Sequence, residues 1–453
     1  MEQFDVVIVG AASAGSFLAR KLAEAGRSVL VLEQLPKENL GRRLDIFHIA
    51  KADFARYSLP SPEKSDDLAF EFSSARTFSA FDRYPKTQNT EVVGLHMHRY
   101  IARLNRWARE AGAEFRYGAR FVDFLYHNGK ITGAVYEQQG ELRQVRASLV
   151  ADCSGIASFA RRKLADGYGV ENFTIADDEM FYVTLRYVNY YEPKDYLTGS
   201  RGWTYYKAWE APEGCVDCAI LGIGANGSFE EGERVFELFR EKVKLPRYIV
   251  LRVERGTTPY RRPPYSFVAD GFLACGDAAC LTKPSSGEGV TAAMAQLVIA
   301  AEQIDRLLNE GGYLTRARLW PINKRYQIAQ GKAFAAQLAT LIGAMSATAE
   351  ENDFFFKHDV IFSNETFASL ARGEALQLSK KETLRYARVL LRGVIGGKVR
   401  LSTIRQLLRS MKNGARAEKL YADYPETEAG FDVWVSRAET FWRECGNMAK
   451  NKV

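Results

Sequence analysis

Gly10, Ala12 and Gly15 stand in a short loop between an apolar run of strand formers, Phe4 to Val9, and a stretch at helical spacing that begins at Phe17. Strand, tight turn and helix in that order make a cradle for phosphate. Gly10 permits the sharp turn, the small Ala12 lets backbone N–H groups approach an anion, and Gly15 lets the helix lie close to the strand. Ser13 and Ala14 complete the turn, and the helix N-terminus supplies unpaired donors and a positive dipole end. A second strand, Ser28 to Leu32, delivers Glu33 at the distance where a dinucleotide-binding unit places its ribose acid. That carboxylate should accept hydrogen bonds from an adenosine ribose and repel a 2′-phosphate, which favours FAD or NAD over NADP. The turn alone does not choose between those two.

A second segment repeats the device. The strand in Asp270 to Ala279 delivers Asp277, and the Gly-rich turn Pro284 to Val290 opens a helix expected from about Ala292 to Leu308. A third segment, Leu149-Val150-Ala151-Asp152-Cys153-Ser154-Gly155, is followed by Ser158 and a basic stretch, Arg161 to Lys163. With these three motifs in this order, the sequence resembles the FAD-dependent oxidoreductases of the aromatic-hydroxylase superfamily, and most closely their geranylgeranyl reductase branch.

The resemblance implies FAD as cofactor. It implies that Asp277 hydrogen-bonds the ribityl chain and that the N–H groups of Gly287, Glu288, Gly289 and Val290 face the flavin N1/O2 edge, stabilising the negative charge that develops there on reduction. It adds Arg42, Arg43, Asp152, Gly276 and Pro284 as further residues expected at the cofactor. Two departures stand out. Where the branch carries a Cys-Gly pair after the second strand, this chain reads Gly41-Arg42-Arg43-Leu44-Asp45-Ile46-Phe47-His48. An Arg that the superfamily places before the helix at 100 to 111 aligns with Met97, between His96 and His98. His48 is the expected proton donor, because its segment should pass near the isoalloxazine. Trp203 and Tyr205, in a stretch that partly matches the branch's aromatic substrate motif, are expected to wall a long apolar pocket.

The elements needed to position these residues define an α/β fold: a Rossmann-type FAD-binding domain interleaved with an antiparallel-sheet substrate domain, plus C-terminal helices. The expected boundaries are 1–165 and 259–330 for the two parts of the FAD domain, 166–258 for the substrate domain and 331–453 for the helices. A chain of 453 residues, 47% hydrophobic and 26% charged, can bury such a core without staples, and that composition excludes a disordered or disulfide-scaffold chain. Six cysteines without framework spacing suit a reducing cytosol, and the N-terminus reads as neither signal nor transit peptide, so a cytoplasmic location is expected.

Charge is uneven. Lys380 to Lys419 holds twelve Lys/Arg against Glu382 and Glu418, a net +10 within an overall +7, so the remainder of the chain sums to −3. That pattern argues against nucleic-acid binding. It also reads as basic amphipathic helices able to meet a membrane surface, with Leu384, Val389, Leu390, Leu391, Ile395, Leu401, Leu407 and Leu408 set among Arg388, Arg392, Arg405 and Arg409.

Other signals read as structure. Gly222-Ile223-Gly224-Ala225-Asn226-Gly227 matches a dinucleotide fingerprint, but no strand ending in an acid follows, so it is expected to close a sheet. Cys215 and Cys218 form a single CxxC in a probable strand, with no second pair to complete a metal site, and His96 and His98 lack a third ligand. No metal is expected. The reaction expected first is saturation of carbon–carbon double bonds in an isoprenoid or similar lipid, with electrons from an external donor whose identity the sequence does not give. A flavin monooxygenase or halogenase acting on an aromatic compound is the second reading. An electron-carrying or non-catalytic flavoprotein that binds a quinone or lipid is the third.

Overall fold

The computed structural model describes residues 1–64, 66–192, 199–213, 215–344, 347–374 and 378–446. Five strands form a parallel core in the order Phe272–Ala274, Glu141–Asp152, Glu2–Val9, Val29–Glu33 and Glu114–Tyr117. Their centres are apolar on both faces, as a sheet buried on both sides requires. Val6 to Ile8 and Leu30 to Val31 are fully buried beneath the helices Ser13–Glu24 and Val290–Glu310. The hairpin Ala119–His127 with Lys130–Gln138 extends the sheet and turns at Asn128 and Gly129, both at positive φ.

A second eight-stranded sheet runs in the order Tyr248–Pro259, Met180–Tyr190, Cys215–Asn226, Ala208–Glu213, Ser200–Trp203, Leu68–Phe78, Lys86–His96 and Ile46–Ala50. All neighbours are antiparallel except Ser200–Trp203 with Leu68–Phe78. The sheet therefore reaches beyond the insertion expected at 166–258. It takes three strands from 46–96, a stretch assigned above to the FAD domain, because Ser200–Trp203 would otherwise leave an unpaired edge.

The two faces of this sheet differ. The outer face carries Trp203, Phe78 and Ile223 and is covered by the helix Phe229–Lys242 through Val235, Phe236 and Phe239. The inner face carries Ile46, His48, Phe70, Phe72, Trp209, Phe181, Val183 and Leu185, which share one side of the pairing register. Gly222 and Gly224 lie in mid-strand on that side, where a Cβ would overlap Trp209 and Phe181. Those glycines make room for rings, and the fingerprint they spell is structural.

The region expected to be helical at 331–453 is so among the described residues, with Lys332–Ala344, Lys380–Ile395, Leu401–Ala422 and Phe431–Cys445 its main helices. Gly414 lies in the middle of the helix Leu401–Ala422. It lets that helix cross Lys332–Ala344 closely, since a Cβ there would strike Thr340. One expectation fails among the cysteines. Cys153, Cys275, Cys280 and Cys445 are buried free thiols, whereas Cys218 is disulfide-bonded. The register shift between Pro212 and Glu213 interrupts regular strand pairing next to these cysteines.

Candidate functional site

The N-terminal turn is built as its sequence requires. Gly10 has φ +103, and a Cβ there would collide with the Cys153 carbonyl. The helix Ser13–Glu24 has no side-chain cap, so its first N–H groups stay open to an anion. Glu33 is buried, and its carboxylate accepts from Ala11 N and from Leu35 N, both at 2.8 Å. Asn105 Nδ2 donates to Ala11 O at 2.9 Å and to Ser16 Oγ at 2.7 Å, pinning the turn from the other side. Beside it opens a cavity of about 230 Å³ lined by Lys37, Glu38, Leu40, His98, Ile101 and Asn105. Arg42 reaches that rim, donating to Glu38 O and lying 3.1 Å from His98 Nε2; Arg43 is exposed.

The second turn meets the first. Gly276, at φ +56, would place a Cβ 3.0 Å from the Cβ of Ala14. Asp277 follows, partly buried, with Thr282 Oγ1 at 3.5 Å, and desolvation lifts its carboxyl to about 6. A half-buried carboxyl with so few partners is ready to take hydrogen bonds from ligand hydroxyls. Gly289 passes close beside it, where a Cβ would lie 2.9 Å from Asp277 Oδ1 and press on that carboxylate. Glu288 pairs with Lys283, and Pro284 stands in the turn between them. Asp152 behaves differently from expectation. Its carboxylate accepts from Ser154 N, Ser154 Oγ and Arg161 N, so its visible bonds hold its own loop together.

The inner face of the second sheet looks onto this turn. Thr258 Oγ1 lies 3.3 Å from Thr282 Oγ1, and a Cβ on Gly287 would be 3.9 Å from the Thr258 methyl. Helix Asn364–Ala371 ties the two sides together: Asn364 Oδ1 accepts from Thr87 N, while Ala371 O and Leu370 O accept from Lys283 Nζ and Ser285 Oγ. His48 does reach the inner face, edge-on to Phe70 and Phe72. Burial drives its imidazole down to about 4, so near neutrality it is uncharged. A neutral imidazole N–H is a hydrogen-bond donor and a poor acid.

Trp203 and Tyr205 are not brought to the site. Trp203 stacks with Phe78 and meets Phe239 on the outer face, and its indole N–H donates to Asp82 at 2.9 Å. Tyr205 sits against Tyr206 in the same cluster. The aromatics that do line the inner face are Trp209, Phe181, Phe70 and Phe72. Strand alternation within Trp203-Thr204-Tyr205-Tyr206-Lys207-Ala208-Trp209 could not have separated them, because a turn at 204–207 resets the phase.

Residues 3–186 match the FAD binding domain family. This chain is an FAD-dependent oxidoreductase. The flavoenzyme is 26% identical over 350 residues to the digeranylgeranylglycerophospholipid reductase of Methanothrix thermoacetophila, a match covering 74% of this chain and 85% of that one. It is 22% identical over 446 residues to the enzyme of the same name from Sulfolobus acidocaldarius, covering 95% and 96%. Among solved structures it resembles a geranylgeranyl bacteriochlorophyll reductase-like protein from Thermoplasma acidophilum, with TM-score 0.66, 18% identity and coverage of 87% and 99%. It also resembles a flavin-dependent brominase, with TM-score 0.58, 16% identity and coverage of 87% and 100%. These structural likenesses show the fold. The likeness to geranylgeranyl reductases that the motifs suggested is borne out by the relatives.

The residues present suit FAD. The uncapped helix start, Gly10 and Glu33 accommodate an adenosine and a pyrophosphate, and the sparsely partnered, half-buried Asp277 carboxyl suits a polyhydroxyl chain beside it.

Proposed function

We propose that the flavoenzyme reduces carbon–carbon double bonds in an isoprenoid lipid. The observation that carries this reading is the inner face of the second sheet: an apolar surface of Phe70, Phe72, Trp209, Val183 and Leu185 set against the Gly287 to Val290 turn. Such a surface suits a long chain without polar groups, and the relatives are named as reductases of geranylgeranyl lipids.

Gly10 to Gly15, Glu33, Asp277 and the Gly287 to Val290 backbone would hold FAD, which when reduced supplies a hydride to an alkene carbon. The residues of this chain do the rest. The N–H groups at the start of helix Val290–Glu310 offset negative charge, and the ring-lined face excludes water from the alkene. Electrons come from an external donor.

The lipid must be collected from a bilayer, and the C-terminal helices offer the means. No helix among the described residues is long and apolar enough to cross a membrane. Helix Lys380–Ile395 turns Tyr386, Val389 and Leu390 inward and leaves Leu384, Leu391 and Ile395 more than half exposed. Helix Leu401–Ala422 does the same, with Leu407 inward and Leu401 and Leu408 outward. The expected apolar stripe is thus split, half packing on the protein and half facing out among arginines. This outer surface supports reversible contact with an anionic bilayer.

The test is anaerobic. Chemically reduced holoprotein mixed with a geranylgeranyl lipid should reoxidise and yield product heavier by two hydrogens per event. Reoxidation indifferent to every isoprenoid alkene, with an oxygenated or halogenated aromatic formed under oxygen, would replace this reading with the monooxygenase or halogenase one.

A further inference from the structure

Lys207 closes the turn between Ser200–Trp203 and Ala208–Glu213 at φ +47. Its N–H donates to Thr204 O, and its carbonyl accepts from Gly224 N at 3.1 Å, so the backbone at this point is clamped to the neighbouring strand. The side chain runs onto the inner face. Its Nζ lies 2.9 Å from Asn226 Oδ1, 4.6 Å from the Phe181 ring centre and 5.5 Å from that of Tyr260.

This is a cation without a counter-ion. No carboxylate among the described residues pairs with Lys207, and burial is the whole cause that brings its ammonium down to about 7. Removing an unpaired charge from water is costly, and two ring faces offset only part of that cost. The surroundings are rich in donors. Asn226 is 4% exposed, and its Nδ2 has no hydrogen-bond partner. The ammonium itself has three N–H groups, of which Asn226 takes one. What such a cluster lacks is an acceptor that carries negative charge.

Its place in the fold says whose charge that is. Phe181, under the ammonium, pairs across the strands with Thr258, and Thr258 touches Thr282 beside Asp277. The inner face is therefore apolar along Trp209, Leu185 and Phe72 and cationic at the end beside the cofactor turn. A chain-like molecule with one charged end would be oriented by it.

We propose that Lys207, with Asn226, binds the oxyanion head group of a hydrophobic substrate, a phosphate or carboxylate, and so fixes which double bond meets the cofactor. The proposal rests on the lipid reading above and deepens it.

The test reads equilibrium binding through the absorbance of the oxidised holoprotein, without turnover. The probes are geranylgeranyl phosphate, geranylgeraniol and inorganic phosphate, and the variants are Lys207→Met and Asn226→Asp. Methionine keeps the length and the ring contacts of the lysine. Aspartate places a competing carboxylate beside the ammonium and serves if the first variant folds poorly. Geranylgeranyl phosphate should bind the natural protein about tenfold to a hundredfold more tightly than the alcohol, the size of a charge-assisted hydrogen bond. Either variant should erase that preference while leaving the affinity for the alcohol and the FAD content unchanged. Equal binding of the two prenyl probes by the natural protein, a preference that survives in the variants, or no binding of any phosphate overturns the proposal. Inorganic phosphate that binds as tightly as the prenyl phosphate, with the alcohol not binding, keeps the oxyanion site and overturns the lipid reading instead.

Discussion

The methyl of Ala14 and the α-carbon of Gly276 meet so closely that a Cβ on Gly276 would lie 3.0 Å from the Cβ of Ala14. Two loops remote in sequence, each opening toward a helix N-terminus, are thereby locked together at one contact. The cofactor has to span both, so their relative position decides whether it fits.

Gly276→Ala should therefore lower the FAD retained through purification, read as the ratio of flavin to protein absorbance. Two costs add: the crowding of Ala14, and positive φ for a residue with a Cβ, about 1–2 kcal/mol. The double variant Ala14→Gly with Gly276→Ala removes the crowding alone and should recover part of the flavin. Unchanged flavin content in Gly276→Ala would mean that the two turns do not set the cofactor's seat.

Trp203 and Trp209 lie one turn apart on opposite faces of one sheet, and their substitutions should diverge. Trp203→Ala empties a site that is 1% exposed and drops the bond to Asp82, so it should destabilise the protein by about 3–5 kcal/mol. Trp209→Ala opens space over Gly222 on the inner face and should change lipid binding more than melting temperature. The reverse pattern in paired thermal melts and lipid titrations would exchange the two faces.

That pair also marks how far the sequence could be read. The cofactor turns were legible because their chemistry is local: a strand, a small-residue loop and a helix start lie within about fifteen residues, and Glu33 follows at a fixed interval. The inner face was not legible, because it is assembled from strands at 46–50, 68–78 and 180–226 whose phase depends on bulges and on the turn at 204–207. Asp152 shows the same limit on a smaller scale. Its motif is recognisable, yet only the three bonds to Ser154 and Arg161 reveal that its carboxylate holds its own loop together.

His48 should stay neutral through the physiological range. Its imidazole falls from an ordinary value near 6.5 to about 4, so its stabilising effect is present above 6.5 and is lost as pH drops toward 4. Nitrogen chemical shifts of His48 followed from pH 8 to 5 should barely move. A titration centred near 6.5 would restore it as a proton donor.

Lys207 makes the matching prediction on the basic side. Its ammonium falls from 10.5 to about 7, so the stability linked to its neutral form is present above 10.5 and is lost as pH drops toward 7. Lys207→Met removes that dependence. The variant should melt higher than the natural protein at pH 7, with the gap narrowing as pH rises toward 10. A gap that is constant or that widens would show the ammonium to be well solvated.

The last prediction concerns the outward leucines. Arg388, Arg392, Arg405 and Lys412 share the exposed sides of their helices with Leu384, Leu391, Leu401 and Leu408, and among the described residues none of the four has an acidic partner. Arg400 and Arg416, by contrast, are held by Glu351 and Glu444. Each free cation near an anionic bilayer is worth about 1 kcal/mol, and several together suffice for reversible attachment. Sedimentation with vesicles containing anionic lipid should show binding at low salt that falls steeply by about 0.5 M, where the screening length shrinks to roughly 4 Å. Changing the four cations to Gln should weaken binding at low salt. Changing Leu391 and Leu408 to Gln should remove the part that survives high salt, because apolar insertion is not screened. The two sets of residues thus report on separate terms of one contact. No binding to anionic vesicles under any condition would leave these helices as a cap on the fold and would require the lipid to reach the inner face by another route.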